Sequence, residues 1–445
     1  MKSGRGNGLG NSRKLALLPL IAATFFMVSG GPYGTEEVVD KAGYAGALLI
    51  FLIVPLLWSL PSALMVSELA SALPEEGGFY QWVKRGMGPF WGFQEAWLTL
   101  AGSVFDMALY PTLFVYYIAH FIPSLARGHW PALLGLGMIF VCTVWNIFGT
   151  RAVGEGSIVM ALVLFVPFLA LIALTFSASG SAERSPMALG HADWLGAVLI
   201  AMWNLMGWDN PSTIAGEVRN PQRTYPLTMA GALLLIVVTY LAPIGAVAHA
   251  GIDPNSWTTG GWVDLGRHFG GEGLAMALAA GGVIGAIGSF NALMLSLSRL
   301  PLVMTMDGYL PRVFARKHPK TGMPWVAIVA CAFGWAVAFR LGFVALAVMD
   351  VLLTGLSVLL EFWALVALRV HEPNLPRPYR VPGGLTGAIA IGIGPASLIA
   401  LAFLRNWTEH TTHFDALSLC LLLIALGPIL YGVGRARQRH AIARP

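Results

Sequence analysis

Four acidic residues lie within or beside long apolar stretches of the chain: Glu36, Glu37, Asp106 and Asp209. An ionised carboxylate in apolar surroundings is unstable unless it meets a cation or takes up a proton. Such carboxylates therefore suit two kinds of chemistry, the binding of an ammonium group and the carriage of a proton. Asp106 also has Tyr110 one turn further along the same predicted helix face. These acids are the first candidates for a binding site.

Each acid also has a structural explanation. Asp106 could be buried in its protonated form or hydrogen-bonded to a neighbouring helix. Glu37 fits an interfacial side chain in contact with water. Glu36 and Asp209 stand beside segments rich in Gly and Pro, where an acid can cap the half-helix that follows. Capping and ligand binding are compatible, so both interpretations stay open.

The composition places these acids in a membrane protein. Of the 445 residues, 56% are hydrophobic and 11% are charged, whereas a soluble domain has about 25% charged residues. Disorder is excluded as well, because 15 Trp and 23 Phe are too many for a chain that cannot bury apolar surface. The three cysteines each lie in an apolar run, which indicates neither a disulfide framework nor a metal site.

Apolar stretches of about 20 residues, the length that spans a bilayer, recur along the whole sequence. We predict an all-α integral membrane protein with about twelve spans. An even number of spans puts both chain ends on one side of the membrane. The approximate boundaries are 15–39, 45–73, 89–122, 131–150, 156–178, 193–217, 226–250, 272–305, 324–341, 344–369, 384–404 and 412–434.

Lys and Arg residues are distributed unevenly between the two sides. The side that includes both chain ends holds most of the 27 Lys and Arg residues. Cytoplasmic loops carry the excess of basic residues, so we predict that both termini are cytoplasmic and that the protein lies in the plasma or inner membrane of the cell. The opposite side holds Lys41, Arg127, Arg184, Arg267, Arg340 and Arg405.

The first and sixth predicted spans are interrupted. Residues 28–34, Val-Ser-Gly-Gly-Pro-Tyr-Gly, and residues 203–211, Trp-Asn-Leu-Met-Gly-Trp-Asp-Asn-Pro, place Gly and Pro at mid-membrane depth. Backbone groups freed there must find other partners. The two breaks are five spans apart, and paired interruptions are typical of an inverted-repeat transporter with its binding site at the breaks. The alternative for each break is a proline kink that only helps helices pack.

Several functions are excluded by what the sequence lacks. It has no phosphate-binding loop for ATP, no His or Cys cluster with metal spacing and no nucleophile and base pair, so we predict neither an enzyme nor a cofactor. The net charge of +5 comes from short loops without a basic face, which argues against nucleic acid. No cysteine lies in an outer loop to tether a protein partner. The predicted partners are a small-molecule substrate and membrane lipid.

Several motifs resemble the amino acid, polyamine and organocation transporter superfamily. Residues 29–31, Ser-Gly-Gly, resemble its break in the first helix, and residues 216–221, Gly-Glu-Val-Arg-Asn-Pro, resemble its Glu-x-x-Asn-Pro signature. The superfamily also has a pattern in its eighth helix and in the loop that follows, and it is similar to residues 298–299, 306–311 and 320–324. Three segments look most like the polyamine uptake branch known from plants and protozoa: residues 30–37, 106–111 and 203–209. That branch is close to the light-chain amino acid exchangers.

The resemblance implies a five-plus-five inverted repeat with broken helices 1 and 6, two additional helices, and a substrate site between helices 1, 3, 6, 8 and 10. It also implies proton-coupled uptake. The corresponding division of the chain is a cytoplasmic tail over 1–14, a first repeat over 15–178, a second repeat over 193–369, the additional helices over 384–434, and a cytoplasmic tail over 435–445.

One position departs from the plant polyamine carriers, because Leu293 stands where they have an eighth-helix glutamate. A long polycation needs more than one carboxylate. An α-amino acid needs instead backbone N–H groups for its carboxylate and carbonyls for its ammonium, which two helix breaks supply. The substrate therefore stays open between an amino acid and a polyamine.

The sequence thus predicts a secondary active transporter that imports amino acids or polyamines by alternating access, with a proton as coupling ion. An amino acid exchanger, a sodium-coupled carrier and, more distantly, a receptor that binds without transport are the alternatives. The predicted coupling or gating residues are Glu36, Asp106, Trp203 and Glu217. The predicted substrate-binding residues are Met27, Ser29, Gly30, Gly31, Asp106, Tyr110, Trp203, Asn204, Gly207, Trp208, Asp209 and Asn291.

Overall fold

The architecture of the chain comes from a computed structural model, which describes residues 14–178, 193–253, 257, 260–337, 343–408 and 416–442. Nearly all of the predicted N-terminal tail, the basic residues Arg184 and Arg340, and the end of the predicted C-terminal tail lie outside these residues. The described chain is all-helical, as predicted, and its only β contacts are two isolated bridges.

Fifteen α-helices make up this part of the chain. They are α1 (Leu17–Val28), α2 (Glu36–Val54), α3 (Leu60–Ala72), α4 (Gly78–Met87), α5 (Pro89–Ile118), α6 (Trp130–Ile147), α7 (Thr150–Ala178), α8 (Trp194–Trp203), α9 (Pro221–His249), α10 (Gly261–Leu297), α11 (Arg299–Met306), α12 (Trp325–Val337), α13 (Phe343–His371), α14 (Gly384–Thr408) and α15 (Ala416–Ile442).

Within the described residues, nine helical segments are long and apolar enough to cross a membrane. Three further apolar helices, α1, α8 and α12, are shorter. Large apolar side chains are exposed on the outer faces of these helices, for example Phe140 and Phe148 at 68% each. Such faces are stable only in contact with lipid, so the chain is a multi-pass membrane protein.

Two interruptions occur where the sequence predicts them. Helix α1 ends at Val28, and helical structure resumes at Glu36. Helix α8 ends at Trp203, short 3₁₀ turns follow over Asn210–Thr213 and Ala215–Glu217, and α9 begins at Pro221. The two irregular segments therefore face each other across the middle of the bundle, where α1 contacts the 3₁₀ turn that follows α8.

Other boundaries differ from those predicted by hydropathy. The first two predicted spans are joined without a loop, because α2 continues through a kink at Gly43 (φ 65°) into a π-helical turn over Pro55–Ser59 and then α3. Helix α10 begins at Gly261 and kinks at Gly271 (φ 67°), whereas the predicted span began at 272. Hydropathy misses the segment before Gly271 because it carries charged residues as well as apolar ones.

The central helices of the bundle are α5 and α13. They pack along each other, and α10 packs against both α5 and α7. Helix α1 packs against α7, α9 and α10, while α8 packs against α2 and α13. The helices that carry the two breaks thus lie against α5, α10 and α13, which places residues from distant parts of the sequence around one region.

A buried ion pair joins α3 to α13. Glu68 is 0% exposed and Arg369 is 7% exposed. Arg369 donates from Nε to Glu68 Oε1 at 2.9 Å and from Nη2 to Oε2 at 2.5 Å. The Val381 backbone N–H donates to Glu68 Oε2 at 2.7 Å, and Arg377 Nε lies 3.1 Å from Oε1. The pair fixes the loop after α13 against α3.

Replacing Arg369 with Met is expected to lower the free energy of unfolding by about 3–5 kcal/mol, because it leaves a buried carboxylate short of its main partner. The double variant Glu68→Leu with Arg369→Met should recover much of that loss, since a hydrophobic pair of similar volume is often neutral. The measurement is unfolding in mixed micelles. The control is Arg85→Met, which breaks the exposed pair of Arg85 and Glu372 and should lower the free energy of unfolding by about 1 kcal/mol or less. Equal losses in Arg369→Met and Arg85→Met would contradict the prediction.

Candidate functional site

A small cavity lies between the two breaks and helices α5, α10 and α13. Its volume is about 30 Å³, which is room for about two water molecules. No Lys, Arg or His is among the described residues that line it. The lining residues are Met27, Val28, Thr99, Ser103, Asp106, Tyr110, Trp203, Met206, Gly207, Asn210, Leu293, Leu297, Asp350 and Thr354.

Asp106 lies in this cavity on α5 and accepts two hydrogen bonds at Oδ1. Trp203 donates from Nε1 at 3.0 Å, and Tyr110 donates from its hydroxyl at 3.1 Å. The two rings lie 6.4 Å apart between centroids at an angle of 36°. Trp203, at the end of α8, therefore covers the Asp106 carboxylate, and the second break follows it directly. Sequence reasoning predicted all three residues as site residues, and the structure brings them together.

A second carboxylate, Asp350 on α13, faces the same cavity. Thr354 donates from Oγ1 to Asp350 Oδ1 at 2.7 Å. Helices α5 and α13 approach closely at Gly102, where a Cβ atom would stand 2.4 Å from Thr354 Oγ1 and 3.3 Å from Asp350 Oδ1. Asp350 and Asp106 line the cavity from α13 and α5, which pack along each other. The cavity is therefore acidic, with two carboxylates and no cation among the described residues that line it.

Asp350 was not among the residues predicted from the sequence. It lies inside the tenth predicted span, 344–369, as Glu361 does, and Glu95 lies inside the third. The rule that selected Asp106, an acid within a membrane span, applies equally to these three. The signal was present in the sequence, but only the fold shows which acids share a space.

Leu293 also lines the cavity, on α10. The resemblance to plant polyamine carriers places a glutamate there, and this chain has an apolar side chain that is 2% exposed. Asp350 supplies a carboxylate to the same cavity from α13 instead. The cavity thus has two carboxylates although α10 carries Leu293 at that position.

The two breaks contact each other through backbone atoms. Gly207 has φ +92°, and a Cβ atom on it would stand 2.4 Å from the carbonyl oxygen of Met27. In the first break, Gly30 has φ +69°, and its Cβ would stand 2.2 Å from Ser289 Oγ on α10. Only glycine combines this backbone conformation with such a close approach. Gly207 therefore sets the distance between the two breaks, and Gly30 sets the distance between the first break and α10.

The predicted residues of the first break divide into two groups. Met27 lines the cavity, whereas Ser29, Gly30 and Gly31 do not. The N–H groups of Ser29 and Gly30 donate to the Phe25 carbonyl at 2.8 and 3.2 Å, and that of Gly31 donates to Ser29 Oγ at 3.2 Å. These donors are thus used within the break and do not face a ligand.

The predicted residues Trp208 and Asp209, in the second break, face away from the cavity. They border a narrow space with Trp58 and Ser62, on the opposite side of Gly207.

Asn204, also predicted as a site residue, is held by local contacts. Its Nδ2 donates to Ile200 O at 2.9 Å, and its backbone carbonyl accepts from the Tyr240 hydroxyl at 2.6 Å.

Asn291 is buried between α6 and α10. Asn146 Nδ2 donates to Asn291 Oδ1 at 2.6 Å and to its carbonyl at 3.1 Å. Asn291 is 0% exposed and does not line the cavity. The amide pair holds α6 against α10, behind the helix face that carries Leu293.

Glu36 lies at the start of α2 and closes the first break. Its Oε2 accepts from the Gly34 N–H at 2.6 Å, and its Oε1 accepts from the Tyr117 hydroxyl at 3.1 Å. Tyr33 donates to the Leu278 carbonyl at 2.6 Å and anchors the same turn on α10. Glu36 thus links the broken helix to α5 through Tyr117. Glu37, its neighbour, is only partly buried.

Glu217 lies on the side of the bundle where the described chain begins. Arg299 donates from Nη2 to Glu217 Oε1 at 2.7 Å, and Thr150 donates from its hydroxyl to Oε2. The Leu15 N–H donates to the Glu217 carbonyl at 2.9 Å, and the Arg219 N–H donates to Leu15 O at 2.8 Å. These contacts tie the start of α1 to α7 and α11, which closes that side of the bundle.

The N-terminal end of α8, opposite Trp203, is held by a charged cluster. Asp193 caps the helix by accepting from the Gly196 N–H at 3.0 Å. Arg405, on α14, donates to Asp193 at 2.5 Å, and Lys41, on α2, lies 3.2 Å away. The hydrogen bond from Arg405 lowers the pKa of Asp193 to about 2. The half-helix that ends at Trp203 is therefore held at its far end by α2 and α14.

Comparison with known proteins gives the family. The model of the amino acid permease family matches residues 21–426. The polyamine transporter PUT1 of Oryza sativa subsp. japonica is 35% identical over 88% of this chain and 74% of its own length. The polyamine transporter RMV1 of Arabidopsis thaliana is 34% identical over 94% of this chain and 85% of its own.

A more distant relative has a different named substrate. The aspartate-proton symporter of Bacillus subtilis (strain 168) is 25% identical over 91% of this chain and 81% of its own length. The family match covers both breaks and every residue that lines the acidic cavity. The chain belongs to the amino acid permease family, within the amino acid, polyamine and organocation superfamily, and is a membrane transporter and not an enzyme.

Proposed function

We propose that this protein imports polyamines by proton-coupled alternating access. The observation that carries the proposal is the pair of carboxylates, Asp106 and Asp350, that face one cavity in which no described lining residue is a cation. A diamine carries an ammonium group at each end, and each carboxylate can bind one of them through a charge-assisted hydrogen bond. The faces of Tyr110 and Trp203 add a cation–π contribution beside Asp106.

An amino acid fits the same cavity less well. Its carboxylate needs a cation or free backbone N–H groups, and among the described lining residues there is no Lys, Arg or His. The N–H groups of Gly30 and Gly31 are bonded within the break. An acidic amino acid such as aspartate would also be repelled by two carboxylates. The names of the plant relatives, both polyamine transporters, agree with this choice.

Transport requires the cavity to open. A volume of about 30 Å³ is smaller than putrescine, which has six non-hydrogen atoms. We propose that the segments around the breaks move against the other helices, as in five-plus-five inverted-repeat transporters, with residues 15–178 and 193–369 as the two repeats. Trp203 would release Asp106 as an ammonium group replaces its indole N–H, and Glu217 with Arg299 would open the side where the chain begins.

The distribution of basic residues supports an orientation with both termini in the cytoplasm. In that orientation the Glu217 and Arg299 pair belongs to the inner gate, and the Asp193 cluster belongs to the outer side. We propose that the protein lies in the plasma or inner membrane of the cell, where an inward proton gradient can drive uptake.

Uptake into liposomes tests the proposal. The purified protein is reconstituted with an alkaline interior, and labelled putrescine and spermidine are compared with labelled neutral, acidic and cationic amino acids, with protein-free liposomes as the background. We expect uptake of the polyamines above all tested amino acids. Uptake of an amino acid without uptake of either polyamine would overturn the proposal.

A further inference from the structure

Three further carboxylates are buried outside the cavity that holds Asp106 and Asp350. They are Asp209 in the second break, Glu95 on α5 and Glu361 on α13, and they are 2%, 0% and 0% exposed. Asp209 borders a space with Val358, which lies one turn before Glu361 on α13, and α13 packs along α5, which carries Glu95. The three acids thus form a cluster, called here the lower acid cluster, that nothing in the substrate site explains.

The cluster has few hydrogen-bond donors. Within the described part of the chain, neither oxygen of Glu361 has a hydrogen-bond partner, and no side chain donates to Asp209, although the N–H groups of Asp209 and Asn210 face it. Glu95 accepts one bond, from the Thr99 hydroxyl at 2.9 Å, while its Oε2 has no partner among the same residues.

The walls of the cluster also contain buried polar atoms without a partner. Trp208 Nε1 and Ser62 Oγ, each 1% exposed, border the same narrow space as Asp209 and bond to no described residue. Buried polar groups are almost always hydrogen-bonded, so several unpaired ones around one space indicate that the space receives something. Their arrangement around carboxylates indicates a positively charged ligand.

In the part of the chain that the structure describes, no fixed cation neutralises these acids. No described Lys, Arg or His forms an ion pair with any of the three. The other titratable groups that face them are Asp350 on α13 and Tyr80 on α4. The charged residues Glu68 and Arg369, on the adjacent α3 and on α13, bind each other. Three uncompensated buried charges are unstable, so the cluster must take up protons or another cation.

The available space decides between these ligands. The space beside Asp209 has a cavity volume of about 0 Å³. An ammonium group or a metal ion with its ligands needs room that this space lacks, whereas a proton bound to a carboxylate needs none.

The spacing of the acids along the helices connects the cluster to the substrate site. Glu95 and Asp106 are eleven residues apart on α5, and so are Asp350 and Glu361 on α13. Eleven residues are three helical turns, or about 16 Å, so both acids of each helix point to the same face. Helices α5 and α13 thus present two acidic layers, an upper one with Asp106 and Asp350 and a lower one with Glu95 and Glu361.

We propose that the lower acid cluster is the binding site of the coupling proton, taken up by Glu361 or Asp209 and exchanged through Glu95. The proposal rests on the proposed transport activity and assigns its coupling step. A proton from the outside converts one carboxylate to a carboxylic acid, which removes its charge and with it the repulsion that keeps the second break away from α13. Release of that proton on the inside restores the carboxylate, and repulsion separates the break from α13 again.

The test is the variant Glu361→Gln in liposomes, with the membrane potential clamped at zero. An inside-alkaline gradient of one pH unit supports about tenfold accumulation of substrate per coupled proton. We expect Glu361→Gln to exchange labelled for unlabelled putrescine across the membrane but to lose the accumulation, with a ratio of about one. A pH-sensitive dye inside the liposomes should report proton entry with putrescine in the wild type and none in the variant.

The matched control is Glu155→Gln, which neutralises an exposed acid on α7 in a pair with Arg151 and should accumulate putrescine as the wild type does. Accumulation by Glu361→Gln equal to that of the wild type would overturn the inference, and so would loss of exchange as well as accumulation in a folded variant. If Glu361→Gln does not fold, Glu95→Gln replaces it with the same expected outcome. Failure of the wild type to transport any polyamine would instead overturn the proposed function.

Discussion

Replacing Asp350 with Asn is expected to lower kcat/KM for putrescine uptake about 30-fold or more. Asp350 and Asp106 form the acidic cavity, and a diamine that binds both would lose one of its two charged contacts. Removing one partner of a buried, hydrogen-bonded charge pair costs about 2–5 kcal/mol, and 2 kcal/mol corresponds to about 30-fold. Asp106→Asn should have an effect of at least the same size, because Trp203 and Tyr110 also bind this carboxylate.

The control for this prediction is Thr354→Val, which removes the hydroxyl that donates to Asp350 but keeps the carboxylate and the side-chain shape. Its loss should be smaller than that of Asp350→Asn, because Thr354→Val leaves both carboxylates of the cavity charged and removes only a hydrogen bond that positions Asp350. Initial rates of labelled putrescine uptake by reconstituted protein give the comparison. Wild-type rates in Asp350→Asn would mean that the second ammonium group binds elsewhere.

Gly207→Ala is expected to abolish measurable transport. Gly207 has φ +92°, and an added Cβ would stand 2.4 Å from the backbone oxygen of Met27. The strained conformation alone costs about 1–3 kcal/mol, and the contact must push the two breaks apart, since backbone atoms cannot rotate away. Gly207 borders both the cavity and the space beside Asp209, so both would be distorted.

Two other glycines separate the causes of that effect. Gly216 lies in the same segment without a positive φ, and a Cβ there would contact nothing within 4 Å. Gly88 has φ +95° but also has free space around its Cβ position. Gly216→Ala should transport normally, and Gly88→Ala should lose stability but keep its transport rate. If Gly207→Ala transported putrescine at the wild-type rate, the two breaks would not need their close backbone contact.

Much of the architecture could be predicted because the membrane imposes simple rules. Apolar stretches of sufficient length gave the helices, and Gly and Pro at mid-span gave the breaks at residues 28–34 and 203–211, since neither depends on distant contacts. Asp106, Tyr110 and Trp203 could be predicted for the same reason. Two of them are one turn apart on α5, and the third stands at the edge of a break.

The remaining features depend on how distant helices pack. Asp350 faces Asp106 because α13 approaches α5 at Gly102, a contact between residues some 250 positions apart. Asn291 resembled a site residue by its place on the eighth span, yet it pairs with Asn146 on α6. The orientation of Asp209 away from Trp203 follows from the backbone turn at Gly207. No local pattern in the sequence specifies any of these three outcomes.

The most direct test of a two-carboxylate site is the affinity of the purified protein for putrescine and for butylamine, which has the same four carbons but one ammonium group. Isothermal titration in detergent should give a Kd for putrescine at least about 30-fold lower than for butylamine in the wild type. The ratio should fall to within about threefold in Asp350→Asn, since one carboxylate then remains. Equal affinities for the two amines in the wild type would contradict the assignment of Asp106 and Asp350 as a paired site for a dication.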